Sequence, residues 1–287
     1  MNRIGIVIPT LDAGAQFPKL LEQLMRQSCQ VERCLVVDSS SEDGTREAAL
    51  SHGCEVLSIA RREFNHGRTR QQAFVYLQDS VDILVYITQD ILFAADDSLE
   101  RLVKALENQA DAGAAYGRQL PYPGASQEAR LQREFNYPPQ RRVKSMADRE
   151  ALGIKTAFLS DSFAAYRCDA LADVGGFPDV PACEDMYVGA KLLQAGYTIV
   201  YAAEAQVYHS HEYGLQENFH RYYVTGVFHK QQSWIRQVFG GSEGEGLRLL
   251  RYQLREARRL GGWLTAVGLL WDNGIRYAAY CLGKWFG

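Results

Sequence analysis

Residues 81–91 read VDILVYITQDI, a β-branched and apolar run that stops abruptly at Thr88, Gln89 and Asp90. Such a run predicts a strand buried on both faces. An acid at its C-terminal tip stands where open α/β sheets place their ligands. Two earlier runs end in a similar way. Residues 4–8, IGIVI, lead to Pro9, Thr10 and Asp12, and residues 31–37 lead to Asp38 and three serines. The strand tips of a parallel sheet share one edge, so these acids converge although they are far apart in sequence. Singly, each also suits a turn. Together they point to a ligand rich in hydrogen-bond donors and phosphate, and carboxylates facing phosphate need a divalent cation between them. Oxygen ligands suit Mg²⁺ or Mn²⁺.

Two later groups add to the set. Glu184 and Asp185 open a helical pattern, where acids ordinarily complement the helix dipole. An acid held there can also take the proton of an attacking hydroxyl. His209 and His211 stand two apart after an apolar run. Lone histidines usually satisfy a core, but downstream of a metal-binding acid this pair reads better as one metal ligand and one substrate contact.

Positioning these groups takes alternating strands and helices. Apolar spacing predicts strands at 4–8, 31–37, 55–59, 81–88 and 112–116, with helices at 17–24, 43–52, after Gly67 to 77, and 97–108. A serine three residues before Glu42 or Asp43 predicts a capping box, and Gly53 a C-terminal cap. This alternation predicts a parallel sheet with right-handed crossovers and helices on both faces. Residues 119–149 hold four of the eight prolines and the run Gln140-Arg141-Arg142. They predict a long loop with a short helix near 128–135. Arg141, Arg142 and Lys144 would either close over a diphosphate or stay solvated. Beyond the loop come a strand at 160–166, a helical turn at 169–174, a helix at 184–194, and strands at 197–201 and 205–209.

From residue 215 the periodicity is helical nearly to the end. Over 247–260, Arg248, Arg251, Arg255, Arg258 and Arg259 share one broad face and Leu247, Leu250 and Leu254 another. Trp263, Leu264, Val267, Leu270, Trp271, Tyr277 and Trp285 follow. That mixture suits a helix in a bilayer interface. Packing on the rest of the protein, or in a homodimer, is the alternative.

The net charge of -3 leaves no electrostatic footprint for nucleic acid. Six cysteines stand singly, without a CxxC pair, and read as buried apolar groups in a reducing compartment. Residues 1–10 lack the apolar core and cleavage site of a signal peptide, and no apolar run approaches the roughly 18–20 residues of a spanning helix. The expected location is the cytoplasm, either in solution or peripheral on a membrane surface. Without GxGxxG after the first strand or GxxxxGK[ST], a dinucleotide dehydrogenase and a P-loop NTPase are disfavoured.

An ordered set of segments carries a resemblance: IVIPTLD at 6–12, VVDSSSEDGT at 36–45, FNHGRTRQ at 64–71, TQD at 88–90, SFAAYRCDALADVGGF at 162–177, ED at 184–185 and HSHEY at 209–213. Spanning about residues 4–230, it resembles family 2 glycosyltransferases of the GT-A fold, in their bacterial rhamnosyltransferase-like branch. The resemblance implies an α/β, Rossmann-like, mostly parallel sheet flanked by helices. A catalytic domain would cover 1–214, with a nucleotide-sugar half to about 118 and an acceptor half after it. A helical extension would cover 215–287. Pro9, Thr10, Asp12 and Asp38 would hold base and ribose, with Ser40 nearby. Asn65, His66, Gly67, Arg70 and Gln89 would line the donor. Asp90 would bind the metal, with His211 or His209 as a later ligand. Asp161, Gly175, Gly176, Phe177 and Glu184 would form the acceptor and sugar region, the glycine pair letting the backbone approach the sugar. Asp185 would be the base of an inverting displacement.

Many members of that family carry DxD where this chain has Thr88-Gln89-Asp90, so one charged ligand is missing. The TQD form resembles the rhamnosyl branch, whose donor is dTDP-L-rhamnose. The implied function is metal-dependent transfer of L-rhamnose to a saccharide or lipid-linked acceptor in cell-surface polysaccharide or lipopolysaccharide O-antigen synthesis. A UDP-hexose donor and a silent sugar-nucleotide-binding scaffold are the alternatives.

Overall fold

The computed structural model describes residues 2–259 and 263–287, with side chains of the last helix from residue 266 onward. Its strands are β1 (Ile4–Thr10), β2 (Arg33–Asp38), β3 (Glu55–Ser58), β4 (Ile83–Ile87), β5 (Leu92–Phe93), β6 (Ala112–Leu120), β7 (Arg142–Lys144), β8 (Phe163–Arg167) and β9 (Thr198–Tyr208). The helices of the first half are α1 (Phe17–Met25), α2 (Thr45–Ser51), α3 (His66–Leu77), α4 (Ser98–Glu107), α5 (Gln127–Asn136) and α6 (Arg149–Leu152). Those of the second half are α7 (Cys168–Asp173), α8 (Glu184–Gln194), α9 (Leu215–Gln231), α10 (Ser233–Phe239), α11 (Glu243–Arg259) and α12 (Trp263–Phe286). The chain divides into two compact units. One comprises Met1–Gln119, Pro139–Ala147 and Ala157–His209, and the other Leu120–Pro138, Asp148–Thr156 and Ser210–Gly287.

The first unit is built on one sheet of order β3-β2-β1-β4-β8-β6-β9-β5, with β7 added on β9. β1 runs parallel to β2 and β4, and β2 parallel to β3. Every residue of β4 is buried, which at about 1.5–3 kcal/mol per large apolar side chain makes it the anchor of the core. Its other edge is taken by β8, running antiparallel, and β6 lies antiparallel beyond β8. β5 and β7 are antiparallel to β9. The sheet is therefore mixed, and the parallel part ends at β4. Strand–helix alternation governs a strand that follows a helical crossover. β8 arrives instead after a long irregular connection and is free to enter in the opposite direction.

Three local expectations change. α2 has Gly44 as its N-cap, φ 86°, without a side-chain cap. β9 is one strand of 11 residues rather than two short ones. Residues 142–144 of the basic loop form β7, and Lys144 is buried, donating to the Phe158 carbonyl and lying 4.8 Å over the Tyr116 ring. Arg141 faces Glu204 at 3.8 Å. These contacts fix the loop, so closure over a diphosphate is not the arrangement found.

In the second unit α9 and α12 pack at glycines. A Cβ on Gly226 would meet the Tyr280 carbonyl at 2.2 Å, and one on Gly283 the Tyr223 carbonyl at 2.0 Å. α5 belongs with these helices, tied by a Glu128–Arg276 ion pair and by Tyr252 donating to Glu134 at 3.0 Å. Leu260 and the side chains of Trp263 and Leu264 lie outside the described residues.

Candidate functional site

The parallel strands bring their C-terminal ends to one edge, with Thr10 and Asp38 in register. Thr10 Oγ1 donates to Asp38 Oδ1 at 3.0 Å, and Ser41 donates to Asp38 through its main-chain N–H, 3.0 Å, and its hydroxyl. Asp38 is buried and organises the loop after β2. Pro9 is half-buried beside it in β1, whereas Asp12 is exposed. Asp12 accepts from the Glu42 N–H at 2.9 Å and pairs with Arg61. Asp12 and Ser40 both hold left-handed backbone, φ 43° and 61°. Such strain costs about 1–3 kcal/mol per residue and persists where neighbours over-determine it. Here the Asp12 N–H donates to Ser41 Oγ, and the Ser40 hydroxyl donates to the Ile59 carbonyl.

Gln89 fastens two strand tips together. Its amide oxygen accepts from the Leu11 N–H at 2.8 Å, and its amide nitrogen donates to the Leu11 carbonyl at 3.1 Å. Both ends of the amide thus tie the tip of β4 to the tip of β1, and the neighbouring Asp90 is held half-exposed at that edge.

His209, buried, ends the first unit with Nε2 3.5 Å from Asp90 Oδ1. Gln119 Oε1 lies 2.8 Å from His209 Nδ1, while Gln119 Nε2 donates to Ser160 Oγ at 2.8 Å. With the amide oriented this way a neutral imidazole would carry its proton on Nδ1, leaving the Nε2 lone pair on the side of Asp90. A carboxylate oxygen facing an imidazole nitrogen is a donor set that fits a divalent first-row cation. The nitrogen favours Mn²⁺ over Mg²⁺, which prefers oxygen alone. His211 belongs to the second unit. Two residues of chain keep its Cα within about 7 Å of that of His209. Its ring stacks on Tyr213 at 4.7 Å.

A second cluster forms around α3 and the start of α8. Asn65 is the N-cap of α3, accepting from the Arg68 N–H at 3.0 Å. His66 is exposed, and its carbonyl accepts from Arg70 at 3.2 Å. Arg70 does not line an open donor site: it is 3% exposed, with Nε 2.9 Å from Asp161 Oδ2 and an Nη 3.0 Å from Glu184 Oε1. Tyr166 donates to the other oxygen of Asp161. Breaking such a buried pair costs about 3–5 kcal/mol, so Arg70 is a brace. Burial opposes its charge, but Glu184, Asp161 and Asp185 outweigh that and raise its pKa.

Asp161 and Glu184 are both buried, and Asp185 is half-buried, the most exposed acid of the three. Its Oδ1 accepts from the Met186 N–H at 2.7 Å and its Oδ2 from the Asp161 N–H at 3.4 Å. Burial, then Glu184 and Asp161, push its carboxyl well above the usual carboxylate range. Burial likewise lifts Asp161 to about 7 despite Arg70.

The glycines beside this cluster serve chain packing. A Cβ on Gly67 would sit 1.8 Å from the Pro178 carbonyl, and one on Gly176 2.1 Å from the Gln71 amide. Gln71 accepts from the Phe177 N–H at 2.7 Å. Gly176 therefore admits Gln71, while Gly175, φ 86°, has open space beside it. Phe177 is buried edge-on against Tyr86 and Tyr166, with centroids at 5.0 and 5.5 Å. Gln119, Ser160 and Tyr166 were not foreseen, since nothing in their local sequence distinguishes them from ordinary strand and turn residues.

The family model described as glycosyl transferase family 2 matches residues 5–175. The O-antigen chain rhamnosyltransferase RfbN of Salmonella typhimurium is 41% identical over 284 residues, covering 98% of this chain and 90% of that protein. WbaN of Salmonella anatum, an O-antigen chain rhamnosyltransferase, is 40% identical over 286 residues, covering 99% and 90%. Among solved structures, the mannosyltransferase PcManGT of Pyrobaculum calidifontis, in complex with GDP-Man and Mn²⁺, has a TM-score of 0.68 at 17% identity, covering 99% of this chain and 87% of that one. S. aureus TarS 1–349 in complex with UDP-GlcNAc has 0.57 at 13%, covering 98% and 90%. The structural likenesses show a shared GT-A-like fold.

Proposed function

The chain belongs to glycosyl transferase family 2, and from that premise we propose that it is an inverting, metal-dependent rhamnosyltransferase. Its donor is dTDP-L-rhamnose and its acceptor a saccharide or lipid-linked saccharide in O-antigen synthesis. The observation that carries this reading is the Asp90–His209 pair at the strand edge, with Asp185 the most exposed acid of its cluster, all in one unit. Rhamnose is supported by the names of both Salmonella relatives, and thymidine by the TQD resemblance.

The first unit is the catalytic one in this reading. Thr10, Asp38 and Ser40 shape the edge, and exposed Asp12 faces the nucleoside. Asp90 and His209 would hold a divalent cation, Mn²⁺ in preference to Mg²⁺. When bound, the cation offsets the charge gathering on the diphosphate leaving group. Asp185 accepts the proton of the acceptor hydroxyl. The hydroxyl oxygen bonds to the anomeric carbon as that carbon's bond to the diphosphate oxygen breaks. The nucleoside diphosphate departs with the bonding pair, and the configuration inverts.

The test is nucleotide release from a panel of dTDP- and UDP-sugars with Mn²⁺ or Mg²⁺. Release should be fastest from dTDP-L-rhamnose. Preference for a UDP-hexose would replace the rhamnose assignment, and silence with every donor and acceptor would favour a scaffold.

The second unit, in the same reading, rests on the inner membrane surface. α12 exposes Val267, Leu270, Trp271, Tyr277, Leu282 and Trp285, which at 100° per residue fall on one stripe about 27 Å long. α11 exposes Arg248, Arg251, Arg255, Arg258 and Arg259. An apolar aromatic stripe with an arginine-rich helix suits an anionic bilayer interface. Among the described residues no helix is long and apolar enough to cross a membrane. Sedimentation with phosphatidylglycerol vesicles should capture the protein. Trp271→Ala combined with Trp285→Ala should weaken capture by about tenfold or more. Self-association without vesicle binding would assign the stripe to a homodimer.

A further inference from the structure

We propose that Gln119 is a positioning residue for the cation, fixing which nitrogen of His209 is offered beside Asp90. The proposal rests on the reading of Asp90 and His209 as cation ligands. Gln119 lies in β6, the neighbour of β9, and is 2% exposed. Its amide is held at both ends: Nε2 donates to Ser160 Oγ at 2.8 Å, and Oε1 meets His209 Nδ1 at 2.8 Å.

The orientation matters because an imidazole carries its proton on one nitrogen only. With Oε1 against Nδ1, the proton sits there and Nε2 presents a lone pair toward Asp90. Turning the amide over would set an N–H against Nδ1 and drive the proton to Nε2, into the place where a cation would sit. Ser160 Oγ accepts from Nε2 in the orientation found and holds the far end of the amide in place. Ser160 precedes Asp161, so one turn of chain braces both the histidine and the acid cluster around Asp185.

Mn²⁺ binding to the full-length protein, followed by the paramagnetic resonance signal of the free ion, tests this without any turnover. Asp90→Asn serves as the reference. Gln119→Leu leaves Nδ1–H without an acceptor and should weaken Mn²⁺ binding about 10- to 100-fold. Gln119→Glu keeps an acceptor and adds charge, as carboxylate–histidine–metal triads do, and should bind Mn²⁺ at least as tightly as the native protein. Wild-type affinity in Gln119→Leu, with weakening in Asp90→Asn, overturns the role of Gln119 alone. So does equal weakening in Gln119→Leu and Gln119→Glu, which would make the residue a matter of shape. Undiminished binding in Asp90→Asn overturns the cation reading itself, and this proposal with it.

Discussion

Replacing Asp185 with asparagine should lower turnover by about 10²- to 10⁴-fold, the range for losing a general base, and leave nucleotide binding within about twofold. Asparagine keeps the shape of the side chain and an oxygen for the Met186 N–H. What it removes is the acceptor for the hydroxyl proton. The same residue fixes the pH dependence. Its carboxyl is pushed well above the usual range by burial, then by Glu184 and Asp161. A base acts only when ionised, so kcat should climb with pH through a range above that of an ordinary carboxylate and then level. Glu184→Gln removes a like charge and should move the climb to lower pH. Measuring kcat against pH at saturating donor checks both points. An Asp185→Asn protein keeping more than about a tenth of native turnover would remove Asp185 from the base role.

Chelation should abolish transfer, and Mn²⁺ should restore it at lower concentration than Mg²⁺. The reason lies in the donor set, in which Asp90 supplies oxygen and His209 an imidazole nitrogen turned toward it. Asp90→Asn removes a charged ligand and should reduce kcat by about 10²- to 10³-fold at saturating donor. Titrating chelator-treated protein with each ion gives the comparison. Full activity after exhaustive chelation would remove the cation from the mechanism.

The parts of this site that were legible in the sequence are those set by short range. Asp38 and Asp90 stand at the ends of apolar runs, and Asp185 lies in the first turn of a helix whose bounds follow from its own spacing. Long-range partners were not legible. Nothing near Gln89 announces that its amide spends both ends on Leu11, 78 residues away. Arg70 sits in a motif that resembles a donor contact, yet its partners are Asp161 and Glu184. Gly175 and Gly176 read alike, and only the approach of Gln71 separates them. The direction of β8 was equally hidden, because a strand with both faces buried reads as parallel, and β8 is antiparallel to both neighbours. The division of the chain shows the same limit: 120–138 and 148–156 join the C-terminal helices through contacts such as Glu128–Arg276, 148 residues apart.

The place of β8 between β4 and β6 also bears on how the protein is made. A ribosome that has delivered Leu120 has delivered both flanking strands, but the strand that separates them begins only at Phe163. Until then β4, the most apolar strand of the sheet, holds a bare hydrogen-bonding edge. β6, already synthesised, can pair with it in the wrong register. Such edges recruit other chains. Vectorial synthesis therefore leaves this sheet open at its centre until β8 closes the gap.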